Sequence, residues 1–241
     1  MLLNTLFVEE CESTNLLLAQ KADREKLPEG FLIHTDFQTA GQGQQGNSWE
    51  SARSSNLLFS LLLHPKHIAI DRQFVLSQAV SLAIRAVLLR YTNAIQIKWP
   101  NDIYHENKKL GGILIQNSIQ QNFLKQSIVG VGLNINQVEF SSGAPNPVSL
   151  RQITGQQLKR EKLLQELYDS IMQYYRRTER EDFTSDYMEG LFRNRGFHRF
   201  RDSEGSFEAC IQRVGNDGML YLEDSRAKRR GYYFKEVEFI L

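Results

Sequence analysis

Two periods of apolar residues run through the chain and divide it into strands and helices. Leu57 to Leu63 is a continuous apolar run broken only by Ser60, the mark of a strand buried on both faces. Leu2 to Val8, Phe31 to Phe37, Ile95 to Trp99 and Phe123 to Leu133 also read as strands, the third of them stopped by Pro100. Ile103-Tyr104 and Lys109 to Gln116 flank the polar turn Glu106-Asn107-Lys108 and predict a hairpin. Between Asp71 and Tyr91, Phe74, Val75, Leu76, Ala79, Leu82, Ala83, Ala86, Val87 and Leu89 recur at helical spacing. Leu163, Leu167, Ile171 and Tyr174 make one stripe of a second helix, Leu158 to Tyr175, and a shorter helix is predicted over Phe183 to Phe192. Ser13 stands where an N-cap belongs, ahead of Leu16 to Ala19, and Leu27-Pro28-Glu29-Gly30 closes that helix. Gly143 to Pro147 reads as loop.

The pattern changes after Arg193. Short strands at Phe197–Phe200, Phe207–Val214, Met219–Leu222, Tyr232–Phe234 and Val237–Ile240 are separated by turns at Gly205, Asn216-Asp217-Gly218 and Gly231. They predict a small barrel or sandwich, and set a domain boundary that gives residues 1–192 and 193–241.

Composition narrows the function. The chain has 241 residues, 29 Lys+Arg against 28 Asp+Glu, and a net charge of +1. That balance carries no basic footprint for nucleic acid. Two cysteines, Cys11 and Cys210, exclude a disulfide framework. The five histidines fit no metal-binding spacing, and neither a P-loop nor a G-x-S-x-G elbow occurs. No apolar stretch reaches the ~20 residues that a spanning helix needs. The first residues turn acidic at Glu9, Glu10 and Glu12, unlike a signal peptide, so a cytoplasmic location is expected.

Four segments carry candidate chemistry. Gly41-Gln42-Gly43-Gln44-Gln45-Gly46 matches G-x-G-x-x-G literally. A strand rather than a helix follows it, so a dinucleotide-binding βαβ unit does not form. A loop of this length, with glycines that leave backbone N–H groups free, reads instead as a ligand-covering loop. Lys98-Trp99-Pro100-Asn101-Asp102 places polar chemistry at a strand corner, as either a turn or a site. Gly111-Gly112, preceded by Lys109, and Gly130-Val131-Gly132 thin two strands and allow close approach to a ligand.

Taken in order, Glu12-Ser13-Thr14-Asn15, Gln38-Thr39-Ala40-Gly41-Gln42-Gly43, Trp49, Lys98-Trp99-Pro100-Asn101-Asp102, Lys109-Leu110-Gly111-Gly112-Ile113-Leu114 and Gly130 to Asn136 resemble the biotin protein ligase family. The resemblance implies an α+β fold: a mixed, mostly antiparallel sheet packed with helices, similar to class II aminoacyl-tRNA synthetases, plus a small SH3-like β-barrel at the C-terminus. With no helix-turn-helix segment ahead of the first motif, it is the ligase-only type that is matched. The implied activity is ATP- and Mg2+-dependent conversion of biotin to biotinyl-5′-AMP, then transfer to a lysine of a biotin carboxyl carrier protein. No nucleic-acid or membrane partner is expected, and the chain is expected to be a monomer or homodimer.

The same resemblance implies residue roles. Lys109 and Asp102 are the catalytic pair, Asp102 also being the candidate Mg2+ ligand. Ser13, Thr14, Asn15, Gln38, Gly41, Gln42, Gly43, Gln44, Lys109, Gly111, Gly112, Gly130 and Gly132 are expected around biotin. Gln42, Gln44, Trp49, Asn101, Asn134 and Arg53 are expected on the nucleotide side. The family's loop is rich in Arg where this chain has Gln42 and Gln44. A neutral amide in place of a guanidinium on a phosphate forfeits ~1.5–3 kcal/mol per contact, so weaker ATP binding or leakier adenylate retention is expected, with Arg53 as a partial replacement. The alternative is a non-catalytic or weakly active protein that binds biotin or biotinyl-AMP. A lipoate ligase is disfavoured because the adjacent Arg pair of that group is missing.

Overall fold

The computed structural model describes residues 4–140 and 146–241, Gln45 by its backbone. Leu2 and Leu3 of the first predicted strand, and residues 143–145 of the predicted loop, lie outside the described residues.

The first sheet contains β1 (Thr5–Cys11), β2 (Leu32–Gln38), β3 (Leu57–Leu63), β4 (Ile95–Lys98), β5 (Asp102–His105), β6 (Lys108–Gln120) and β7 (Phe123–Leu133). Its seven strands run in the order β1-β2-β3-β7-β6-β5-β4. β1 and β2 pair in parallel, while the other neighbours are antiparallel. β3 is buried throughout because it sits between β2 and β7 with apolar layers on both faces.

Those layers follow the two-residue period of a strand. Leu57, Phe59, Leu61 and Leu63 face a large core built with α2 (Phe74–Leu88) and, behind it, α4 (Arg160–Arg177). Leu62, with Ile33 and Ile128, faces Leu18 of α1 (Thr14–Arg24) on the opposite side. Two short helices complete the layer: α3 (Leu150–Thr154) and α5 (Thr184–Gly190). The first lies beyond the predicted loop, in a stretch to which the apolar pattern assigns no element. Its five residues are too few to show a period, and a capping box of Ser149 and Gln152 fixes its start.

The C-terminal strands are β8 (His198–Asp202), β9 (Gly205–Val214), β10 (Leu220–Asp224), β11 (Arg229–Tyr232) and β12 (Glu238–Phe239). They form one antiparallel sheet in the order β11-β10-β9-β8-β12. Among the described residues no pairing of β11 with β12 closes it, and no second sheet faces it as in a sandwich. It docks on the larger unit through specific contacts. Trp99 Nε1 donates to the Gly218 carbonyl at 2.9 Å, and the Phe192 and Phe239 rings stand 6.4 Å apart.

Candidate functional site

A cavity of about 640 Å3 opens on the α1 face of the first sheet, within the range typical of small-molecule sites. Its inner end is an uncharged polar array. Ser13, Thr14 and Asn15 arrive at the N-terminus of α1, each 3% exposed. Ser13 is the N-cap by position, yet its side chain makes no capping bond. The Thr14 N–H donates to Gln38 Oε1 at 2.8 Å, and Ser60 Oγ donates to Asn15 Oδ1 at 2.6 Å and lies 2.7 Å from Thr14 Oγ1. Asn15 Nδ2 donates to Gln116 Oε1 at 2.9 Å.

The floor follows from strand register. Gly112 pairs with Gly132 and Leu114 with Gly130, so these positions of β6 and β7 share the face toward α1. Gly111, one residue along, faces the other side. A Cβ there would run into the Leu133 side chain and stand 2.8 Å from the Gly132 carbonyl oxygen. The expectation that Gly111 forms part of the floor is therefore corrected: it is a packing glycine. Gly132 lies directly under Trp49, whose Cζ2 and Nε1 stand 2.8 Å from where its Cβ would be.

The glycine-rich segment is more ordered than an irregular loop. Gln42 pairs with Ser48 as a β-bridge, and the Gly43 N–H donates to the Asn47 carbonyl at 2.7 Å. Gly46 adopts a φ of +85°, which lets the tip turn. Gly41 is absent from the cavity lining. Its carbonyl accepts from the Trp49 N–H at 2.9 Å, and a side chain there would strike the Trp49 carbonyl. It holds the two arms of the segment together. Gln42, Gly43, Gln44 and Trp49 do face the cavity. The Trp49 Nε1 and Gln44 Oε1 atoms are buried and have no partner among the described residues.

The outer end carries charge. Lys109 Nζ stands 2.7 Å from Asp102 Oδ1, both partly buried, and 5.8 Å from the Trp49 ring centroid. Residues 146–148 grip the Lys109 backbone: its N–H donates to the Asn146 carbonyl at 2.8 Å, and its carbonyl accepts from the Val148 N–H at 2.9 Å. Asn101 and Asn134 line the cavity, but both amides make backbone bonds, Asn101 Nδ2 to the Ile113 carbonyl and Asn134 Nδ2 to the Val148 carbonyl. Arg53 does not join them. Its guanidinium pairs with Glu10 and lies 4.7 Å from the Phe37 ring centroid, 54% exposed. The expectation that it substitutes for loop arginines is corrected: an acidic partner on the neighbouring β1 draws it away.

Several residues that build the site lie outside the sequence motifs; Ser60 and Gln116 hold the lining residues from behind. Ser60, the single polar residue in an apolar run, was itself the available signal. Gln116 follows Gly112 and Leu114 at alternate positions, so it faces the same way. Phe140 and Phe234 reach the cavity from distant segments and leave no local trace in the sequence. Among the described residues no group of three His, Cys, Asp or Glu side chains gathers to hold a metal, and no helix is long and apolar enough to cross a membrane.

A model of the biotin/lipoate A/B protein ligase family matches residues 7–134. The bifunctional ligase/repressor BirA of Bacillus subtilis (strain 168) is 28% identical over 240 residues, covering 94% of this chain and 72% of that protein. The biotin–[acetyl-CoA-carboxylase] ligase of Mycobacterium tuberculosis is 31% identical over 134 residues, covering 54% of this chain and 48% of its own. Among solved structures, biotin protein ligase from Aquifex aeolicus in complex with biotin and ATP superposes with a TM-score of 0.79 at 23% identity, covering 98% of this chain and 97% of that one. At that identity the likeness is one of fold.

Proposed function

The chain belongs to the biotin/lipoate A/B protein ligase family, and from that premise we propose that it is an ATP-dependent biotin–protein ligase acting on a lysine of a biotin carboxyl carrier domain. The observation that carries this reading is the division of one cavity into an uncharged polar end and a charged end joined by a side-chain-free floor. A ureido ring offers two N–H donors and one carbonyl acceptor. Set among Ser13, Thr14, Asn15 and Gln38, with Ser60 and Gln116 holding Thr14 and Asn15 from behind, it meets neutral groups of both kinds and leaves no charge unpaired. Leu58 and Leu114 offer an apolar wall to an aliphatic chain, and the glycines beneath let that chain lie close to the sheet.

The carboxylate at the end of the chain then reaches Lys109. In the first step a carboxylate oxygen bonds to the α-phosphorus of ATP while the bond to the β-phosphate oxygen breaks and pyrophosphate departs. Two anions must meet, so positioning and charge neutralisation dominate the catalysis. Lys109 supplies a positive charge at the meeting point, and Asp102 and the 146–148 segment fix where it stands. In the second step an acceptor lysine nitrogen bonds to the activated carbonyl carbon and AMP departs. The Asp102 carboxylate, at the mouth with Lys109, orients the incoming amine and receives its proton.

The residues fit the nucleotide. The Trp49 ring is a stacking surface for adenine, and its buried indole N–H and the Gln44 amide oxygen both lack partners among the described residues. They fit Mg2+ only as an ion carried by the triphosphate, since among the described residues no group of three His, Cys, Asp or Glu side chains gathers around Asp102 to hold it. When bound, Mg2+ would neutralise phosphate charge.

Transfer of labelled biotin to an isolated carrier domain, with Mg·ATP and with pyrophosphate release followed in parallel, tests the reading. Transfer that disappears in Lys109→Ala is expected. Biotin binding without pyrophosphate release or transfer would instead leave a binding protein.

A further inference from the structure

One cavity cation has no place in this account. Lys98 closes β4, four residues before Asp102, and its side chain faces the cavity where the two sheets meet. Its Nζ stands 5.3 Å from the Tyr104 ring centroid and 5.1 Å from that of Phe239, one ring from each sheet. Among the described residues no carboxylate lies within 4.0 Å of it. The charged groups that face it are Asp102 on β5, Lys109 on β6, Glu238 on β12 and Arg193 in the segment that follows α5. Burial draws its pKa below the usual lysine range, and the neighbouring Asp102 only partly offsets this.

We propose that Lys98, held between the Tyr104 and Phe239 rings, is the cation that receives the outer phosphates of the nucleotide and the departing pyrophosphate. Three observations support it. Lys98 and Lys109 are the basic residues lining the cavity among those described, and Lys109 is already committed to Asp102 at 2.7 Å. The loop positions that face the same space hold neutral Gln42 and Gln44. The aromatic faces replace much of the water around Lys98, so an arriving anion displaces little hydration and meets an ammonium in a medium that screens poorly. Two cations in one cavity also repel each other, and a polyanion bridging them relieves that repulsion. In this arrangement Phe239 is a positioning residue, through which the C-terminal sheet sets the place of the charge.

The inference rests on the ligase reading for the identity of the phosphate donor, but not for the presence of the anion site. Calorimetric titrations with inorganic pyrophosphate and, separately, biotin would test it on the full chain and on Lys98→Met, Lys98→Arg and Phe239→Leu. Lys98→Met is expected to weaken pyrophosphate binding about tenfold or more, to make it less sensitive to ionic strength, and to leave biotin affinity within about twofold. Lys98→Arg should restore most of the loss, and Phe239→Leu should fall between. Thermal melts identify a variant that fails to fold, in which case Lys98→Gln takes its place. A folded Lys98→Met that binds pyrophosphate as the parent does, with unchanged salt dependence, overturns the proposal, as does a parent that binds no pyrophosphate. Lys98-dependent pyrophosphate binding in a protein that takes no biotin would retain this site and remove the ligase reading. Biotin transfer with pyrophosphate binding indifferent to Lys98 would do the reverse.

Discussion

The Asn15 side chain occupies the space that any side chain on Gly130 would need. The Asn15 Nδ2 atom lies 3.0 Å from the position of that absent Cβ, and Asn15 is fixed there by Ser60 and Gln116. Gly130→Ala therefore pushes Asn15 out of its hydrogen bonds. We expect a stability loss of roughly 1–3 kcal/mol from overpacking and a fall in biotin affinity of more than about tenfold, read by thermal melts and calorimetry. Gly112→Ala is the contrasting case. Its nearest neighbour would be Trp49 Cζ3 at 3.4 Å, an ordinary contact, and the fold should tolerate it.

Lys109 and Asp102 separate the two chemical steps. Lys109→Met removes the charge that lets two anions meet, and adenylate formation should drop about 10²–10³-fold, measured as ATP–pyrophosphate exchange. Asp102→Asn keeps the lysine charge but loses the proton acceptor. Exchange should persist within about tenfold while transfer to the carrier falls much further. Equal loss of both steps in Asp102→Asn would show that Asp102 acts only by holding Lys109.

The loop predicts a gain of function. Gln44 faces the cavity, its amide oxygen unpartnered among the described residues. Gln44→Arg would add a charged, forked donor, and ATP affinity should rise about tenfold. Arg53→Ala should change nothing beyond about 0.5 kcal/mol of stability, because its exposed pairing with Glu10 is a surface one. A large loss of ATP affinity in Arg53→Ala would show that the guanidinium swings into the cavity.

The C-terminal sheet predicts a pH profile. The Tyr232 hydroxyl donates to Asp202 Oδ2 at 2.6 Å, and Arg230 Nη1 stands 3.1 Å from the same oxygen. The Tyr232 bond holds the Asp202 carboxyl below its usual range; burial opposes it, and backbone bonds and Arg230 add to the lowering. Its stabilisation is complete above the ordinary carboxylate pKa and is lost as pH falls through the lower folded value. Burial and the Asp202 bond push Tyr232 up to about 12. The folded state then keeps a proton that the unfolded state releases near the ordinary tyrosine value of about 10, so stability falls as pH rises between the two. Melting temperature against pH should show both arms, and Asp202→Asn should flatten the acid one.

Much of this was legible in sequence, and what was not has physical causes. The strands Leu57–Leu63 and Phe123–Leu133 match their predicted bounds: the first is an apolar run buried throughout, and the second ends in the largely buried stretch Ile128–Leu133 beside it. β1 ends three residues later than the apolar pattern suggests. Pairing with β2 sets Glu10 beside Phe37 and Cys11 beside Gln38, and an edge strand admits acidic residues to solvent. The motifs named most of the cavity. They misplaced Gly111 and Gly41 because adjacent glycines on a strand face opposite ways and because hairpin pairing is invisible in composition. Gln116 and Phe234 become visible only once register brings distant segments together, whereas Ser60 stands out locally as the one polar residue of its run.

The chain has two tryptophans, and the fold places them in unlike surroundings. Trp99 is 4% exposed, with its indole N–H bonded to the Gly218 carbonyl. Trp49 rests on Gly132 with its indole N–H unpaired among the described residues, on the segment that covers the cavity. Both line the cavity, but Trp99 is held by its hydrogen bond while the Trp49 indole N–H is open to a new partner. Biotin and ATP should therefore change the intrinsic fluorescence mainly through Trp49, and Trp49→Phe should remove most of the change. The lid of the cavity is thus its own optical reporter, and occupancy can be followed without a label.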